Sequence, residues 1–177
     1  MIRTTALAVL LAASFPVFAA EQAKAKPDLA KAGEIAERVC VACHGADGNS
    51  PAAANPIIAG QLPEYVYKQL SNFKSVDGKP PVRNNAIMGG MVAALSDEDM
   101  RGLALYFAQQ KIKPSVAKEE KLLAEGKSLW RMGDFAKGVP ACAGCHGPAG
   151  AGLPSQYPRL AGIRGWRVSM RSILPLS

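Results

Sequence analysis

Cys40, Cys43 and His44 stand together in the run CVACH, and Cys142, Cys145 and His146 stand in the run CAGCH. Two thiols separated by two residues and followed at once by an imidazole form the pattern of covalent haem attachment. The two thiols add across the two vinyl groups of the haem, two intervening residues give them the reach, and the adjacent imidazole falls beneath the iron as an axial ligand. A bare C-x-x-C also serves as half of a zinc site or as a thioredoxin-like redox pair. Neither needs His directly after the second Cys. Four cysteines in an exported chain would otherwise be read as two disulfides, but this spacing, found twice, points to two covalently attached haem c groups and their irons.

The two motifs belong to an internal duplication, because residues 40–60 match residues 142–162 without a gap at an offset of 102. Gly45, Gly48, Pro56, Ala59 and Gly60 recur as Gly147, Gly150, Pro158, Ala161 and Gly162, and matched glycines and prolines imply matched backbone turns. His44 and His146 are the only histidines, so bis-histidine coordination within one chain is excluded. A thioether is the remaining soft ligand, one that raises a reduction potential. Met88, Met91 and Met100 are the candidates in the first repeat.

The elements that must position these groups are helical. Asp28 is a cap for a helix carrying Leu29, Ile35, Ala36 and Val39 into the first cysteines, and Pro63 suits the first turn of a second with Val66, Leu70 and Phe73 on one stripe. A third begins at Ser96, with Asp99 as its capping-box partner, and buries Met100, Leu103, Ala104 and Phe107. That leaves Met100 in the core and Met88 and Met91 in the run NNAIMGGM, read as a loop whose glycines let the backbone pass close to a cofactor edge. The polar stretch QQKIKPS (109–115) marks a boundary, after which a helix near Ala117–Trp130 opens the second repeat. No segment alternates as a strand, so the fold class is all-α, with a first haem domain over 27–112 and a second over 115–177. Each is well under ~100 residues, so a protein-only core would be marginal and a buried haem would supply the missing apolar mass.

The chain opens with Arg3, an apolar run from Ala6 to Ala13, and small residues at Val17, Ala19 and Ala20. This reads as a signal peptide over residues 1–20, too short to span a membrane, and places the mature protein in the periplasm. Net charge is +7 for the whole chain, and the charges are scattered, which excludes a nucleic-acid partner and leaves a basic face for steering toward acidic proteins.

CHGADGNS, the matched proline and LAG-like segments, IMGGM and LSDEDMRGLALYFAQQ together resemble the cytochrome c4 family of duplicated dihaem class I cytochromes c, over about residues 27–162. The resemblance implies a single-electron carrier, not an enzyme, that moves electrons from a quinol or cytochrome bc complex toward a terminal oxidase. It implies redox partner proteins, a possible loose membrane association and no small-molecule substrate. By the same resemblance His44 and His146 are proximal ligands, the carbonyls of Pro56 and Pro158 accept their imidazole N–H groups, and Met88 is the sixth ligand of the first iron, with Met91 in a packing role. The alternative function is a dihaem redox enzyme, a peroxidase or sulfur-compound dehydrogenase, with an open second haem. A third is an electron-accepting subunit of a larger dehydrogenase.

The tail GIRGWRVSMRSILPLS departs from the family. Its expected consequence is an incomplete second domain, in which Trp166, Met170 and Ile173 patch the core and the second iron lacks a methionine. For the first site the motif makes a direct prediction. Cys40→Ser and Cys43→Ser each weaken or abolish haem attachment in the first domain and lower its thermal stability, checked by haem stain and melting curve; unchanged haem content and stability in both would contradict the motif reading.

Overall fold

The computed structural model describes residues 26–113 and 119–163, which excludes the expected leader and the tail residues Trp166, Met170 and Ile173. The described residues form helices joined by tight turns, with isolated β-bridges but no strand. No described helix is long and apolar enough to cross a membrane.

Helix α1 (Leu29–Ile35) is capped by Asp28, whose carboxylate accepts from the N–H groups of Ala30 and Lys31 at 2.9 and 3.0 Å. It runs through a π-helical turn at Ala36–Cys40 into α2 (Val41–His44), so the first haem motif is the C-terminal end of one continuous rod. Its buried face is only partly the expected one. Ala36 is buried and Ile35 packs against the core, but Leu29 and Val39 are exposed and Ala32 is buried instead. The reason is a close helix crossing, since a Cβ on Gly102 of α5 (Asp97–Gln109) would sit 3.2 Å from the Ala32 Cβ and 3.3 Å from the Asp28 carbonyl oxygen. Only small residues fit on both sides.

Helix α5 packs against both α1 and α3 (Pro63–Phe73), and Leu103 and Phe107 join Ala32 and Ala36 in the core. Met100, Leu103, Ala104 and Phe107 are all buried, as the helical stripe requires. Val66 and Phe73 of α3 are buried too, with Leu70 partly so. The run NNAIMGGM is not a loop. It folds as α4 (Ala86–Val92), because the Asn85 side chain caps it by accepting from Met88 N–H at 2.9 Å. Capping outweighs the two glycines.

The second repeat starts with a 3₁₀ turn at Glu120–Leu122 and α6 (Leu123–Met132), two residues longer at its end than the sequence pattern indicated, and reaches its motif in α7 (Ala143–His146). Residues before the second repeat fold back on the first. Asn49 donates to the Lys111 carbonyl at 2.9 Å and accepts from Lys113 N–H at 2.8 Å, while the Lys113 ammonium lies 2.7 Å from Asp47. Ile112 contacts the position of a Cβ at both Gly60 and Gly162, and so wedges between the equivalent turns of the two repeats.

Ser96 and Asp99 form the reciprocal capping box at the start of α5, and Asp99 also takes a 2.6 Å ion pair from Lys31 of α1. The Lys31 ammonium, then the Ser96 N–H, lower the Asp99 carboxyl from 3.8 to about 2. A carboxyl lowered by folding stabilises the fold above its unfolded value, and that stabilisation is lost as pH falls from 3.8 toward about 2. Asp99→Asn should therefore cost about 1 kcal/mol at neutral pH and flatten the acid limb of the stability curve. Superimposable acid-unfolding curves for the two proteins would contradict this.

Candidate haem sites

The proximal half of each site is built from a helix end and a glycine turn. Helix α2 stops at His44 because Gly45 takes a left-handed backbone (φ 77°), and α7 stops at His146 because Gly147 does the same (φ 78°). The chain then turns back at Gly48 (φ 72°), whose carbonyl accepts from Ile58 and Ala59 N–H at 2.9 and 3.1 Å. A side chain at Gly48 would meet Ala59 N at 2.8 Å and the Phe107 ring at 2.9 Å, so glycine is required there for space as well as conformation. Gly150 repeats the turn and accepts from Leu160 and Ala161 at 2.8 and 3.0 Å.

These turns bring the two prolines under the imidazoles. His44 Nδ1–H donates to the Pro56 carbonyl at 2.9 Å, and His146 Nδ1–H donates to the Pro158 carbonyl at 2.9 Å. A carbonyl accepts only, so each Nδ1 carries a proton, and in the neutral ring that leaves Nε2 as the nitrogen with the lone pair. The hydrogen bond fixes ring orientation and makes the imidazole a better donor to a metal.

His44 is buried and lines an apolar cavity of about 250 Å³ together with Cys40, Val66, Leu70, Phe73, Leu103 and Phe107. Met88 lines the same cavity. Met100 is buried in the core of α5, and Met91 does not reach the cavity but is 46% exposed, so it is not the packing residue expected of it. The cavity carries a soft thioether, an imidazole lone pair and an anchoring thiol on apolar walls. That set fits a haem and its iron. All four cysteines are free of disulfides, and burial pushes the Cys40 thiol above its ordinary value. Among the described residues no three His, Cys, Asp or Glu side chains converge as a metal-binding cluster. A larger groove, about 540 Å³, lies on the outer side of α3 and α5 beside Tyr67 and Arg101 and contains none of the motif residues.

The second site shares the proximal construction and little else. His146 is half-buried, with the Tyr157 ring edge-on at 5.6 Å and the Trp130 ring at 6.4 Å. Cys142 is half-buried and Cys145 exposed, and a hydrogen bond with Cys145 pushes the Tyr157 hydroxyl upward. A small depression of about 240 Å³ beside Trp130, Pro148 and Leu160 is lined by no methionine among the described residues.

Two features of the first site have no counterpart in the motif reading. Lys74, just after α3, donates its ammonium to the carbonyls of Val92 at 3.3 Å, Ala93 at 2.8 Å and Leu95, and so ties the C-terminal end of the Met88 helix to the wall opposite. The other is that Pro158, Arg159, Leu160 and Ile163 of the second repeat close one side of the first cavity. Lys74 carries no sequence signal, whereas Arg159 does. It stands where the first repeat has Ile57, a break in the duplication.

A helical protein that offers two C-x-x-C-H segments, each with its imidazole locked to a backbone carbonyl, is one that binds haem c covalently. Residues 22–111 match the family model for cytochrome c, and the chain belongs to that family. It is similar to cytochrome c4 from Pseudomonas aeruginosa, 46% identical over 134 residues that cover 75% of this chain and 64% of that protein. It is also similar to a thiosulfate dehydrogenase electron acceptor from Thiomonas intermedia, 40% identical over 77% of this chain and 66% of that one. Its fold superposes on reduced recombinant cytochrome c4 from Pseudomonas stutzeri with a TM-score of 0.67 and 37% identity, covering 78% of this chain and 74% of the other. The chain thus spans about two thirds of the length of the curated relatives it matches.

The geometry separates the methionines experimentally. Met88→Ala should leave haem attached while admitting carbon monoxide to the first site and lowering its reduction potential, whereas Met91→Ala should change neither. Carbon monoxide binding by Met91→Ala but not by Met88→Ala would reverse the assignment.

Proposed function

We propose that the chain is a periplasmic dihaem electron carrier of the cytochrome c4 type, passing electrons singly between redox proteins. The carrying observation is the repeated proximal construction, with a 2.9 Å imidazole-to-proline hydrogen bond in both halves. A bound haem c supplies a one-electron couple at its iron. The residues of the chain do the rest. His44, oriented through its Nδ1–H, and Met88 line one cavity, where they would hold the iron of a haem between apolar walls. At the first site His44 and Met88 would both bind the iron of a haem held there, which would leave no place for a substrate and suit outer-sphere transfer rather than turnover. The positive formal charge favours encounter with acidic partner surfaces.

Two donors suit this role. As a carrier resembling the cytochrome c4 family, the chain takes electrons from a quinol-linked cytochrome bc complex and passes them to a terminal oxidase. Similarity to a thiosulfate dehydrogenase electron acceptor supports a sulfur-compound dehydrogenase as an alternative donor. In that reading the chain remains the acceptor and the partner performs the oxidation.

Purified mature protein should carry two haem equivalents and show methionine-ligated low-spin absorption from the first site. It should exchange electrons rapidly with a small-molecule mediator and turn over peroxide no faster than free haem. Peroxide turnover well above free haem would replace the carrier with an enzyme.

A further inference from the structure

The two repeats meet through a clamp that the duplication does not repeat. Gln61 is a buried residue, 5% exposed. Its amide donates to the Arg159 carbonyl at 3.0 Å and its Oε1 accepts from Arg159 N–H at 2.7 Å and from Leu62 N–H at 3.0 Å. Two of these three hydrogen bonds hold one backbone position of the other repeat. At the duplicated positions, Gln61 corresponds to Ile163 and Arg159 to Ile57. Isoleucines cannot reproduce the side-chain half of the exchange, so the clamp runs in one direction only.

What the clamp holds is a cation. Arg159 lines the first cavity, and among the described residues it is the only Lys, Arg, Asp or Glu that does so. One guanidinium N–H donates to the Gly60 carbonyl at 3.3 Å. Among the described residues no carboxylate forms an ion pair with it. The fork of an arginine has five donors and matches a carboxylate in two-point geometry. A cation on an apolar wall, with donors to spare and no anion beside it, is a site for an anionic group carried by whatever fills the cavity. Haem c carries two carboxylate side chains.

We propose that Arg159 is a haem-carboxylate anchor supplied in trans, by the second repeat to the cofactor of the first, with Gln61 as its positioning residue. This rests on the reading of the first cavity as a haem site. The assignment has an electrostatic consequence. A fixed positive charge beside a one-electron couple favours the reduced, less positive form, and the effect is strong where the walls exclude water. The potential of the first haem is then set partly by a residue of the other repeat, so packing between the repeats becomes a determinant of redox poise. Pro158, one residue away, orients His146. The same short stretch of chain therefore touches both sites.

The test is a potentiometric titration of the full-length holoprotein and of Arg159→Gln and Arg159→Lys. Haem on the Cys40–Cys43 peptide is checked by mass spectrometry in each. Arg159→Gln should lower the potential of the methionine-ligated haem by about tenfold in its equilibrium constant, ~59 mV for a one-electron couple, with the absorption spectrum unchanged. Arg159→Lys, which keeps the charge, should retain most of the parent value. An unchanged potential in Arg159→Gln, or an equal fall in both variants, would overturn the assignment while leaving the carrier reading intact. Absence of haem from Cys40 and Cys43 in the parent protein would remove both.

Discussion

The hydrogen bond from each imidazole Nδ1 to a proline carbonyl is the constraint around which both halves are arranged. For a carbonyl twelve residues downstream to come under the ring, the helix must end at the histidine and the chain must reverse at once. It must then return antiparallel to itself close enough for Gly48, or Gly150, to receive two N–H groups. Those demands explain the left-handed glycines after each histidine and the recurrence of glycine where a Cβ would crowd the returning chain. The helices outside this turn serve it. Helix α5 fills the far side with Leu103 and Phe107, and α3 and α4 bring the wall that carries Met88.

Much of this was legible in the residues. The paired motifs, the matched prolines and the stripes of α3 and α5 are local or periodic features, and local features survive folding because the backbone period carries them. The places where the pattern misled are tertiary. Leu29 and Val39 look like core but are exposed, because the crossing of α1 and α5 at Ala32 and Gly102 is too close for large side chains. Met88 was expected in a loop and lies in a helix, because a single asparagine cap decides the matter and weighs little in a periodicity count. Lys74 was invisible, since its three carbonyl partners lie about twenty residues away and converge only when α4 docks on α3. Of the site itself, the proximal half was readable and the distal wall, part of which comes from the second repeat, was not.

The duplication is close in its turns and unequal in its surroundings. The first imidazole is buried in an apolar cavity closed by both repeats, while the second is half-buried beside Tyr157 and Trp130. Burial and axial thioether ligation both raise a haem potential, so two cofactors held by the same proximal device would differ in poise because of what lies around them. Inequality of this kind gives a two-centre carrier a direction. The one-sided exchange between Gln61 and Arg159 is a further expression of it, since it fixes the second repeat to the first without a reciprocal bond.

The central claim is that both repeats are covalent haem sites built by one device. Tandem mass spectrometry of proteolytic peptides from the mature protein tests it most directly. The account predicts haem linked through thioethers to both Cys40 and Cys43, and to both Cys142 and Cys145. Free thiols, a disulfide or a bound zinc ion at either C-x-x-C-H peptide would contradict it.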